Sequence, residues 1–88
     1  MSSDKVFEFI SDPGHGWLKV KDKDLIDVGL WAPDFSSYSY RSGNTFYLEE
    51  DCDAAIFVRA FEAKHGRKPA YVERYVERTH IRGLPRIR

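Results

Sequence analysis

The chain holds one cysteine, Cys52, so it can close no disulfide within itself and cannot by itself assemble a cysteine-based zinc cage. A reducing, cytoplasmic setting is the expectation. Long apolar runs are also missing. No stretch approaches the length of a membrane-spanning helix, and no basic start leads into an apolar segment near Met1, so neither a membrane partner nor a secretory signal is expected. Absent too are a Walker-type phosphate loop, a dinucleotide glycine fingerprint, a zinc-protease helix motif and a serine nucleophile elbow. Their absence counts against the common enzyme classes, and no catalytic residue, metal or cofactor is expected.

Net charge is a further absence, since 14 basic residues balance 14 acidic ones. The balance hides an asymmetry. Residues 1–56 carry 5 Lys and Arg against 11 Asp and Glu, a net of −6, whereas residues 57–88 carry 9 against 3, a net of +6. Opposed charge halves of this kind suggest a surface that steers a partner, because a field acts at a distance even when its total vanishes. With 88 residues there is room for one domain, 1–88, and one core. The six Phe, five Tyr and two Trp exceed what so small a core needs, so some tyrosines are expected at the surface as contact anchors.

Patterning points to an α+β domain. Residues 5–10 are aromatic and β-branched and run into Asp12-Pro13-Gly14-His15-Gly16, which reads as a strand and a tight turn; residues 17–20 make a second short strand. Leu25, Ile26, Gly29 and Leu30 recur at helical spacing over 22–30, until Pro33 interrupts. Two runs of aromatic and hydroxyl residues, from Ser36 and from Thr45, flank Gly43-Asn44 and predict a hairpin. A main helix is expected over 52–64, capped by Asp51 or Asp53, with Ile56, Phe57, Ala60 and Phe61 on its inner face and Gly66 and Pro69 as its stop. Residues 70–82 suit either a helix or a strand, and the β-branched and aromatic content favours the strand. The expected architecture is an antiparallel sheet of four or five short strands, one main helix on one face, and a short helix after the second strand.

Four groups of residues are candidate sites. His15, between two glycines and beside Asp12 and Trp17, suits a structural turn in which the glycines supply unusual dihedrals, or else a binding loop or a small hydrolase centre. Glu49, Glu50, Asp51 and Asp53 surround Cys52; the helix dipole accounts for these acids better than a cation does. Tyr38 and Tyr40, two apart, would share one strand face with Ser37 and Ser39 on the other, either as a stacking platform or as core with the serines in water. Arg74, Arg78, Arg82, Arg86 and Arg88 form a basic comb, whose members from Arg74 to Arg82 would project from one strand face toward phosphates or an acidic protein.

The strings Ser11-Asp12-Pro13-Gly14-His15-Gly16-Trp17-Leu18, Ser36-Ser37-Tyr38-Ser39-Tyr40, Tyr47-Leu48-Glu49-Glu50-Asp51-Cys52-Asp53 and Thr79-His80-Ile81-Arg82-Gly83-Leu84-Pro85-Arg86 resemble those of small uncharacterised proteins of phages, prophages and plasmids. The resemblance implies no activity. It implies a genetic setting in which small accessory proteins bind and modulate host machinery. The expected function is therefore non-catalytic binding of a macromolecule, a protein first, as inhibitor or adaptor, with His15, Trp17, Tyr38, Tyr40, Arg74, Arg78, Arg82 and Arg86 as contact residues. Nucleic-acid binding through the arginines and tyrosines is one alternative, a small metal-dependent or His-based hydrolase centred on His15, Asp12 and the acidic cluster is another, and a homodimer could form through an edge strand.

Overall fold

A computed structural model describes residues 5–87. Five strands form one sheet: β1 Val6–Ser11, β2 Gly16–Lys21, β3 Tyr40–Ser42, β4 Thr45–Glu49 and β5 Ala70–Tyr75, in the spatial order β3-β4-β2-β1-β5. Helix α1 (Asp22–Asp27) follows β2 and helix α2 (Asp53–His65) follows β4. The architecture is α+β and mostly antiparallel. One pairing departs from the expected antiparallel sheet: β5 runs parallel to β1. The reason is topological, because α2 carries the chain from β4 back across the sheet before β5 begins.

Alternation along the strands sorts side chains onto two faces. Phe7, Leu18, Val20, Phe46 and Leu48 point to one side and meet Ala54, Phe57 and Phe61 of α2, with Leu25 of α1 and Phe35 closing the same core. Phe7 stands edge-on to Phe57 and Phe61, with ring centroids at 5.4 and 5.8 Å. Gly66, at φ 75°, ends α2 by donating its N–H to the Glu62 carbonyl. The hairpin forms at Gly43-Asn44, with Gly43 at φ 58°.

The opposite face is covered by the chain's own tail. After β5 the Val76 N–H donates to the Ser11 carbonyl at 2.9 Å, and residues 77–87 then cross the sheet as a strap. Ile81, fully buried, plugs a second apolar cluster of Ile10, Trp17 and Tyr47. The strap ends along β3, where Arg41 N–H donates to the Pro85 carbonyl at 2.9 Å and Ile87 N–H to the Ser39 carbonyl at 3.0 Å.

Several expectations need correction. The 22–30 helix stops at Asp27, and a 3-10 turn at Ala32–Asp34 replaces the irregular Pro33 break. Neither Asp51 nor Asp53 caps α2: Cys52 occupies the cap position without a side-chain bond, and Asp53 turns inward. Strand β5 ends at Tyr75, so Arg78 and Arg82 do not share a strand face with Arg74. Gly14 and Gly16 have no positive φ. Gly16 serves close packing instead, since a Cβ there would lie 2.5 Å from the Phe9 ring. Arg88 lies outside the described residues.

Candidate functional site

On the strap side of the sheet, four segments far apart in sequence border one cleft of about 480 Å3. Its floor is aromatic. Trp17 comes from β2 and Tyr40 from β3, with ring centroids 6.4 Å apart, and the His15 ring stands 5.9 Å from that of Trp17. The Asp12-to-Gly16 turn aims His15: Asp12 Oδ1 accepts the N–H groups of Gly14 and His15, each at 2.9 Å, and the Asp12 N–H donates to the His15 carbonyl. That turn makes Asp12 a backbone organiser.

The strap supplies the cationic wall. Arg82 donates from Nε to Asp12 Oδ2 at 2.9 Å and from Nη2 to Asp12 Oδ1 at 2.8 Å, a two-pronged clamp, while its guanidinium lies 5.6 Å from the centre of the Trp17 ring. The clamp holds the Asp12 carboxyl well below the usual carboxylate range. The Arg82 hydrogen bonds are the main cause; burial opposes them, and the His15 and Gly14 N–H groups and the Arg82 charge reinforce them. Arg82 is correspondingly raised from its already high value by Asp12. Four residues on, Arg86 stacks over Tyr40 at 5.5 Å and donates to the Ser37 carbonyl at 2.7 Å. Both arginines are thus oriented by the protein while retaining N–H groups that no hydrogen bond among the described residues engages.

The facing wall is acidic and comes from the β4–α2 junction, with Glu49, Asp51 and Cys52 lining it. Glu49 is itself committed to structure, accepting the N–H groups of Asp51 at 3.0 Å and Cys52 at 3.1 Å. Asp51 and Cys52 stand exposed. Above the cleft, Tyr38 is 64% exposed at the tip of the loop before β3. Asp53 holds that loop. Its carboxylate accepts the Ser36 N–H at 3.0 Å, the Ser36 hydroxyl at 2.7 Å and the Ser39 hydroxyl, and Ser39 in turn accepts the Glu49 N–H at 2.9 Å. Ser39 is therefore fully buried rather than in water, and Tyr38 stands outside the core; Tyr40 is half-buried and Tyr47 buried.

Six of the eight residues singled out in the sequence, His15, Trp17, Tyr38, Tyr40, Arg82 and Arg86, meet at this cleft. Arg74 and Arg78 do not. Arg74 pairs with Glu8 at 2.8 Å at the far edge of the sheet, and Arg78 stands exposed in the bend after β5. The comb is consequently broken up, two of its members being neutralised by carboxylates of the acidic half. Sequence reasoning missed Asp12 as the partner of Arg82 and Asp53 as the anchor of the Tyr38 loop. Buried polar residues with remote partners leave no local signal. Among the described residues no three His, Cys, Asp or Glu side chains gather as a metal site, and no helix is long and apolar enough to cross a membrane. Compared with protein-family models, with curated proteins and with solved structures, the chain matches none.

Proposed function

We propose that this is a small non-catalytic binding module that recognises a protein partner at the cleft, as an inhibitor or adaptor in the cytoplasm, in keeping with its resemblance to proteins of phages and other mobile elements. The observation that carries the reading is the convergence of exposed Tyr38 and two pre-oriented guanidinium groups over an aromatic floor. Aromatic and arginine side chains dominate the energetic centres of protein interfaces because they bury large areas at low entropic cost and donate in fixed directions. The cleft carries both signs, being lined by Arg82 and Arg86 as well as by Glu49 and Asp51, which suits a protein segment of mixed charge.

That mixture weighs against nucleic acid, since the acidic wall repels a phosphate backbone and Arg74 and Arg82 already have carboxylate partners. Hydrolase chemistry at His15 also lacks support: the Asp12 carboxylate is engaged by Arg82 and by backbone N–H groups, leaving it no role in orienting the imidazole. Affinity capture from host lysate with the wild type, Tyr38→Ala, Arg86→Glu and Arg74→Ala tests the reading. Wild type and Arg74→Ala are expected to retain one protein that the two cleft variants lose. Equal capture by all four, or capture of nucleic acid with a steep salt dependence, overturns it.

A further inference from the structure

The two edges of the sheet are treated differently. Edge strand β3 is covered by the strap through Pro85 and Ile87, but β5 pairs only with β1 among the described residues. All six β5 residues are exposed, and Tyr71, Val72 and Tyr75, with neighbouring Val6, are each more than half exposed. An open apolar edge is a template for another strand. Which backbone groups it offers follows from the parallel ladder. Val76 N–H points to β1, and in a strand the direction alternates, so Tyr71, Glu73 and Tyr75 turn their N–H and C=O groups outward.

We infer that a second copy of this chain occupies the edge, its β5 running antiparallel to the first about a two-fold axis, so that the sheet continues across the dimer. An axis normal to the sheet keeps each residue on its own face, so one residue must oppose its own copy. Within β5 the central choices are Val72, Glu73 and Arg74. A centre at Glu73 or Arg74 sets like charges directly against each other, which is unfavourable. The centre at Val72 sets valine against valine, and does so at a non-hydrogen-bonded position, where side chains approach most closely. In that register Tyr71 exchanges hydrogen bonds with the second copy's Glu73, and Tyr75 donates to the second copy's Pro69 carbonyl; Pro69, which has no N–H, leaves no donor unpaired. Tyr71 and Tyr75 project on the same face as Phe9 and α2, where Tyr71 packs at 6.0 Å from Phe9, and with their copies they fill the gap between the two α2 helices. The proposal is independent of the cleft, which lies on the other face.

A pairing through six residues a side is a small interface beside the roughly 1,200–2,000 Å2 typical of stable ones, so the association should depend on concentration. Light scattering and sedimentation over a dilution series are expected to show the mass doubling as concentration rises. Glu73→Pro removes an outward N–H without touching the β1 ladder, and Val72→Lys places like charges across the axis on a side chain that is exposed in the monomer. Both variants are expected to stay monomeric, with unchanged circular dichroism. Amide exchange supplies a readout that does not depend on variants: protection at Tyr71, Glu73 and Tyr75 should rise with concentration. A monomer at all concentrations, a dimer that survives both substitutions, or exchange at these three amides indifferent to concentration overturns the proposal.

Discussion

At the scale of single residues, the cleft depends on polar groups that make no contact with solvent. Asp53 is 1% exposed and gathers two serines from a loop fourteen or more positions earlier in the chain, thereby fixing where Tyr38 stands. Asp53→Ala leaves the Ser36 N–H and the Ser39 hydroxyl without their acceptor and is expected to cost about 2–4 kcal/mol, read by chemical denaturation. Gly16 is the second sensitive position. The Phe9 ring leaves no room for a methyl group, so Gly16→Ala should overpack the core at a cost of about 1–3 kcal/mol by the same measurement. Two glycines around His15 were legible as a special turn. That one of them serves ring packing rather than a left-handed backbone was not, because the contact is with a residue of the neighbouring strand.

At the scale of elements, the strap decides whether a cleft exists at all. Its only fully buried apolar anchor is Ile81, which fills the space among Ile10, Trp17 and Tyr47. Ile81→Ala should cost about 2–5 kcal/mol and loosen the strap. Trp17 is the reporter. It is 2% exposed beneath Arg82, so its fluorescence should shift to the red in the variant, and an unshifted spectrum would show that the strap holds without its plug. The strands, the hairpin and α2 were legible because each is written in local periodicity: alternation for the strands, a Gly-Asn turn, and Phe57 and Phe61 one helical turn apart. The strap was not, since residues 77–87 contain charged side chains, Gly83 and Pro85 and no period. Its place is set by Ile81, by Arg82 and Arg86 and by the backbone bonds of Pro85 and Ile87, whose partners all lie elsewhere in the chain.

For the whole molecule, much of the expected charge separation is spent internally. Arg74 to Glu8, Arg82 to Asp12, and Lys64 and His65 to Asp27 all join the basic half to the acidic half. Asp27 is held below its usual range by the Lys64 hydrogen bond and then by that of His65, and Asp12 by Arg82. A carboxyl whose pKa is lower in the folded than in the unfolded chain adds stability that is complete above the unfolded value, near 3.9, and lost as pH falls through the folded value. Thermal midpoints should therefore hold steady near neutrality and drop below roughly pH 4. The double variant Asp12→Asn, Asp27→Asn should have a lower midpoint at pH 7 and a flatter acid limb; an unchanged acid limb would place the acid sensitivity in other carboxylates.

The amino-acid order by itself determined the α+β class, the hairpin, the main helix and most of the residues that reach the cleft, because period, turn chemistry and residue type act over a few positions. Only the tertiary structure decided that β5 lies parallel to β1, that the tail crosses the sheet, and that Arg82 meets the Asp12 carboxylate while Arg86 meets the neutral Ser37 carbonyl. Those outcomes follow from which distant surfaces bury one another best, and that balance is struck among all the elements at once rather than within any one of them.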